Sequence, residues 1–149
     1  MSTAALLHTR EQFSLVANAP FEVAWPLFGA DKERAWAPGW EPVFLWPEMA
    51  FDQEGMVFQV RHADKTAVWV NTAFDSTARR IQYVYVIPDV VVTLITLKLT
   101  PDGDSTTIEV VYERTALLPA ANDMVKEMAV VDRFAGEEWS EQINRHLSQ

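Results

Sequence analysis

The chain contains no cysteine, which excludes disulfides, Cys-type zinc sites, thiolate haem ligation and a Cys nucleophile. Basic residues are scarce: 12 lysines and arginines stand against 21 acidic residues, a net charge of −9. That balance repels phosphate backbones and anionic lipid surfaces, so nucleic acid is not expected as a partner. Long apolar runs are missing as well. Nothing approaches the roughly 18 consecutive apolar residues needed to span a bilayer, and no integral membrane association is expected. Residues 1–10 have neither a basic leader nor a long apolar core, so no secretory signal is expected and the cytoplasm is the default compartment. The three histidines, His8, His62 and His146, form no His-x-x-x-His pair. With no Gly-x-Ser-x-Gly elbow, phosphate loop or dinucleotide fingerprint either, hydrolase and nucleotide chemistry lose support, and neither a metal nor a cofactor is expected.

What is present is a globular composition. A chain of 149 residues, 49% hydrophobic and 22% charged, fits one domain, 1–149, large enough to bury a sizeable core. The only long run with an unbroken 3.6-residue hydrophobic period is Asn122 to Leu147, which predicts one helix about 38 Å long. Its apolar arc carries Met124, Val125, Met128, Val131, Ala135, Trp139, Ile143 and Leu147, with Lys126, Glu127, Arg133, Glu137, Glu141 and Arg145 opposite. Asp132 and Gly136 fall on the apolar side. Glycine inside a helix costs about 1 kcal/mol against alanine, so Gly136 implies either close approach of a sheet or unfilled space. An acid beside such a gap is a site candidate. Glu137, Glu138 and Glu141 read instead as a solvated face, with Glu141 placed i, i+4 to Arg145.

Ahead of this helix, Gln12 to Ala17 reads as a strand and Pro20-Phe21-Glu22 as a helix start, limited by Pro26. Asp31 to Arg34 is a candidate for one further turn. Trp36 to Pro47 is a stiff aromatic connector with three of the six tryptophans and three of the eight prolines; it either plugs the end of the core or borders a ligand cavity. From Gly55 the period changes to two, and five strands joined by short turns follow, which must be antiparallel. Inward rows are Met56, Phe58 and Val60; Ile81, Tyr83 and Tyr85; Thr93, Ile95, Leu97 and Leu99; and Ile108, Val110, Tyr112 and Arg114. For Thr66 to Phe74 both rows are apolar, and either Trp69 and Asn71 or Val70 and Thr72 face inward.

Ala19-Pro20-Phe21-Glu22-Val23-Ala24-Trp25-Pro26-Leu27-Phe28, a Trp-rich approach to the second strand, a five-stranded meander ending in Glu113-Arg114-Thr115-Ala116-Leu117 and a Trp-bearing last helix resemble the SRPBCC superfamily of START-related, polyketide cyclase-dehydrase-like and pollen-allergen-like proteins. The resemblance covers nearly the whole chain. It implies an α+β helix-grip fold, in which a curved seven-stranded antiparallel sheet wraps a long C-terminal helix, with two short helices after the first strand and a cavity for an apolar ligand, lipids included. It carries over no catalytic residues.

Two functions follow, with a regulatory or partner-binding module as a third reading. One is binding of a hydrophobic, aromatic or polycyclic small molecule between sheet and helix, with Trp36, Trp40, Phe44, Phe58, Trp69, Tyr83, Tyr85, Ile95, Tyr112, Met128, Val131, Ala135 and Trp139 as contacts. The other is a cyclase- or dehydratase-like enzyme that uses Asp132, Arg114 and the tyrosines of that interior. Asp132 and Arg114 are expected to meet, as the polar anchor of a site or as a structural ion pair joining the last strand to the last helix. A homodimer is left open.

Overall fold

The computed structural model describes residues 5–149. Residues 1–4, where part of the leader expectation falls, lie outside them. Strands β1 (His8–Ala17), β2 (Val43–Trp46), β3 (Val57–His62), β4 (Lys65–Asp75), β5 (Arg80–Ile87), β6 (Val91–Asp102) and β7 (Ser105–Ala116) form one antiparallel sheet in the order β1-β7-β6-β5-β4-β3-β2. Helix α1 (Phe21–Ala24) runs into a 3-10 turn at Trp25–Phe28, where Pro26 cannot supply the N–H that a longer α-helix needs. A second 3-10 turn, Lys32–Ala35, follows. Helix α2 (Asn122–Leu147) closes the chain.

The β3 to β7 meander follows from its turn chemistry: each connection is too short for a crossover, and Pro101-Asp102-Gly103-Asp104 turns with Gly103 at φ 62°, a left-handed conformation that glycine adopts without strain. Alternation then sets the faces. Ile81, Tyr83, Ile95, Leu97, Leu99, Ile108 and Val110 are all buried, as their period predicts. In β4 the inward row is Ala67, Trp69, Asn71 and Ala73, which settles the alternative that its doubly apolar sequence left open. A register shift between Asn71 and Ala73 displaces Thr72 against β5, an irregularity that binary pattern does not announce.

Helix α2 packs along β1 and the adjoining β7. Val125, Ala129, Asp132, Gly136 and Ile143 are buried. Polar clamps at three levels set the helix's position: the Asn122 side chain accepts from Leu7 N–H at 2.8 Å and donates to Ala5 C=O at 2.9 Å, Arg133 pairs with Glu11 at 2.8 Å, and Asn144 accepts from Asn18 N–H at 2.8 Å and donates to Val16 C=O at 2.9 Å. Gly136 is explained by close approach. A Cβ there would lie 3.0 Å from Phe13 Cδ2 and 3.2 Å from the Ser14 carbonyl oxygen, so any larger residue would lift the helix off β1.

The apolar arc needs one correction. Val131 is 69% exposed and Met124 46% exposed, and Val130 and Phe134 also face solvent. The helix rests on β1 at one edge of the sheet, so the buried stripe is centred on Val125, Asp132, Gly136 and Ile143, and Val131 falls outside it.

Candidate functional site

A cavity of about 280 Å³ lies between the inner face of the sheet, the connector and the C-terminal half of α2. Three segments build it. The sheet contributes Trp69, Tyr83, Ile95, Leu97 and Tyr112, the helix contributes Glu138, Trp139 and Gln142, and the region after α1 contributes Phe28, Glu33, Trp36, Ala37, Pro38, Gly39 and Trp40. Exposed Pro38, Gly39 and Glu138 form its rim.

The connector is held in place by its tryptophans. Trp36 Nε1 donates to Leu27 C=O at 2.6 Å and Trp40 Nε1 to Ala30 C=O at 2.8 Å, so each indole satisfies its one donor on the preceding loop and turns its rings inward. Trp36 meets Phe28 and Trp139 edge-on, and Trp40 meets Phe58 and Trp69 edge-on. The connector thus both closes the end of the core and walls the cavity, two roles that composition presents as alternatives.

Asp52 supports this segment from outside. Its carboxylate accepts from the Asp31 N–H at 2.8 Å and the Lys32 N–H at 3.3 Å at the start of the second 3-10 turn. It occupies the place that a side chain at Gly29 would take, since a Cβ on Gly29 would collide with it. Burial raises the pKa of Asp52, against the two backbone donors that lower it.

The turn so anchored carries Glu33, whose side chain faces the cavity. Glu33 and Tyr112 both line the cavity and retain some accessible surface although protein surrounds them. Among the described residues the Glu33 carboxyl has no hydrogen-bond or ion-pair partner. Burial and, second, the charge of Asp52 push its pKa up to about 8. Tyr83 donates to Phe28 C=O at 2.8 Å; burial and the Glu33 and Asp52 carboxyls raise its pKa well above the ordinary value. At the rim, Glu138 accepts from Gln142 at 3.0 Å.

Of the residues singled out from sequence, Trp36, Trp40, Trp69, Tyr83, Ile95, Tyr112 and Trp139 line this cavity. Phe58 is fully buried behind them, stacked on Trp69, with Phe44 outside it. Tyr85 stacks on Trp69 at 4.4 Å but points its hydroxyl toward Arg114. Met128 lines a separate depression with His62, Ile87 and Val90. Ala135 is half-buried without reaching the cavity wall, and Val131 faces solvent.

Asp132 and Arg114 meet in bidentate geometry: Nε to Oδ2 at 2.7 Å and Nη2 to Oδ1 at 2.8 Å, with the side chains only 5% and 7% exposed. Arg114 Nη1 also donates to Thr93 Oγ1 at 3.0 Å and to the Tyr85 hydroxyl, and the guanidinium lies 5.0 Å from the Tyr112 ring centre. Burial opposes its charge, but Asp132 and Tyr85 outweigh that and raise the Arg114 pKa. Neither residue of the pair lines the cavity. The pair sits beneath it, joining β7 to α2. Glu33, Phe28, Leu97 and Gln142 were missed by sequence reasoning. Phe28 and Leu97 carried a signal in their apolar patterning, and Glu33 carried none.

A curved antiparallel sheet gripping a C-terminal helix around an internal cavity defines the helix-grip class. No family model matches the chain, and no curated protein matches it. Solved structures do match. Truncated norcoclaurine synthase from Thalictrum flavum aligns at TM-score 0.71 and 13% identity over 99% of this chain and 98% of its own. The same enzyme in complex with dopamine and hydroxybenzaldehyde aligns at 0.69 and 13% over 96% and 88%. A protein of the dynemicin biosynthetic locus aligns at 0.59 and 13% over 94% of this chain and 47% of its own. These likenesses establish the fold: the chain shares the helix-grip architecture of these solved structures.

Proposed function

We propose that this chain binds an aromatic or polycyclic small molecule in the cavity between sheet, connector and α2. The observation that carries the reading is the lining: seven of its fifteen residues are aromatic, around about 280 Å³. That volume is near the lower end of the roughly 300–1,000 Å³ of small-molecule sites, which favours a ligand of two or three rings over a long acyl chain. A protein of the same fold, norcoclaurine synthase, has been solved with two small aromatic molecules, which supports the class of ligand. Native mass spectrometry of protein purified from its own host tests the proposal. A co-purifying small aromatic compound, released on denaturation, is the expected result. Protein that carries none and shows no saturable change in tryptophan emission with any of a panel of naphthalene, indole and phenol derivatives would overturn it.

One observation favours the enzymatic alternative. Glu33, with its pKa near 8, faces the same space as the Tyr83 and Tyr112 rings, and an acid poised near neutral pH is suited to exchanging a proton with a bound ligand. In that reading the proton-transfer group is Glu33 rather than Asp132, which is fully engaged by Arg114.

A further inference from the structure

The geometry points to an arylalkyl ammonium ion as the ligand class of this cavity, its charge held between the Glu33 carboxylate and the faces of the surrounding tryptophan and tyrosine rings. The inference rests on the cavity-binding proposal and narrows it.

Three features carry it. First, every ionisable group on the cavity wall is acidic: Glu33, Tyr83, Tyr112 and, at the rim, Glu138. Among the described residues no lysine, arginine or histidine lines it. The nearby cations are committed elsewhere, Arg114 to Asp132 and Arg34 to Asp31. Second, the Glu33 carboxyl has no partner among the described residues, although its backbone carbonyl accepts from the Trp36 and Ala37 N–H groups. A surrounded carboxyl without a partner is costly for the fold, and a cation reaching it would remove that cost. Third, the walls beside it are aromatic faces, which attract a desolvated cation through their quadrupoles. A carboxylate or phosphate ligand would oppose ionisation of Glu33 and meet the charge of Asp52, with no cation on the wall to answer it. A neutral polycycle would leave Glu33 unpaired.

Proton linkage follows. Free Glu33 holds its proton at neutral pH; an ammonium ligand favours the carboxylate, so binding releases a proton to solvent while the ligand keeps its own charge. The groups that face Glu33, Asp52 from outside and Tyr83 and Tyr112 across the cavity, bear no positive charge that would compete. Lys32, beside it in the chain, weighs on Asp52.

The test uses three probes with one ring system and different heads: 2-naphthylmethylamine, 2-naphthylmethanol and 2-naphthoate. Isothermal titration of the full chain is run at pH 7 in two buffers of different ionisation enthalpy. The ammonium is expected to bind at least about ten-fold tighter than the alcohol, the size of one charge-assisted contact, with naphthoate weakest and with proton release on ammonium binding only. Glu33→Gln is expected to bring the amine and alcohol affinities together and to abolish proton release. Should that variant fail to fold, the wild type still decides, because its preference for the amine must shrink as pH falls from 8 to 5. Alcohol or naphthoate binding as tightly as the amine would overturn the ammonium assignment while leaving a ligand cavity in place. No saturable binding by any of the three would overturn both.

Discussion

Replacing Asp132 by Asn keeps the side-chain shape and leaves the Arg114 guanidinium charged, buried and short of its bidentate partner. Breaking one side of a buried ion pair typically costs about 3–5 kcal/mol, and both side chains here are more than nine-tenths buried with paired contacts of 2.7 and 2.8 Å. Against the roughly 5–15 kcal/mol of total stability of a domain the loss is severe. At about 2–4 °C per kcal/mol for this size it lowers Tm by roughly 6–20 °C. Urea unfolding at pH 7 followed by circular dichroism measures it. The double variant Asp132→Leu with Arg114→Met removes both charges, but it leaves the Thr93 and Tyr85 hydroxyls without their partner at about 1–3 kcal/mol for each unsatisfied group, so its recovery should be partial at most. With the single variants Asp132→Leu and Arg114→Met beside it, the double variant closes a mutant cycle that isolates the coupling between the two residues. Because neither lines the cavity, affinity of the folded fraction for a naphthalene probe should stay within about two-fold in every variant, a change of about 0.4 kcal/mol. An Asp132→Asn loss below about 1 kcal/mol would refute the buried-pair reasoning. Unchanged stability with collapsed affinity would instead make the pair the polar anchor of a site.

Trp40 is half-buried, so Trp40→Ala should cost less than the roughly 3–5 kcal/mol of a fully buried tryptophan yet weaken probe binding at least about ten-fold, measured by titration on protein verified as folded; affinity unchanged in the folded fraction would leave the core plug as its only role. Gly29→Ala drives a methyl into the Asp52 carboxylate and should cost about 1–3 kcal/mol in urea unfolding, with Asp52→Ala recovering part of it; a neutral Gly29→Ala would show that Asp52 moves freely. Glu33 binds its proton more tightly folded than unfolded, so its contribution is fully present below about pH 4.5 and is lost as pH rises through about 8. Relative to wild type, Glu33→Gln should therefore gain stability as pH rises between 5 and 8, at up to about 1.4 kcal/mol per pH unit; parallel stability curves would show that Glu33 titrates normally.

The extent to which this architecture is readable from sequence follows from the range of the forces involved. Alternation and turn chemistry are local, so the inward rows of β5, β6 and β7 and the extent of α2 could be read directly. The pairing of Asp132 with Arg114 was readable too, because helical period and strand alternation each force one charged residue inward and neither tolerates isolation. Where period is ambiguous, as in β4, only the neighbouring strands decide which row is buried. The Val131 error has the same source. An arc drawn from hydrophobicity alone assumes that the sheet covers the helix symmetrically, whereas α2 lies along β1 at one edge and leaves Val130, Val131 and Phe134 in water.

Glu33 is the instructive failure. Lys32-Glu33-Arg34-Ala35 has the composition of a solvated turn, and nothing local distinguishes Glu33 from its charged neighbours. Its environment is created at a distance: Asp52 caps the turn from 21 residues away, Trp36 and Trp40 fold the connector back onto the preceding loop, and β5 and β7 bring Tyr83 and Tyr112 to the opposite wall. A carboxyl that no nearby cation neutralises is held in that position by the sum of those contacts rather than by any preference of its own. Residues that fold stability alone would not select are where function is to be sought, and a carboxyl enclosed among aromatic rings without a partner of its own is such a residue.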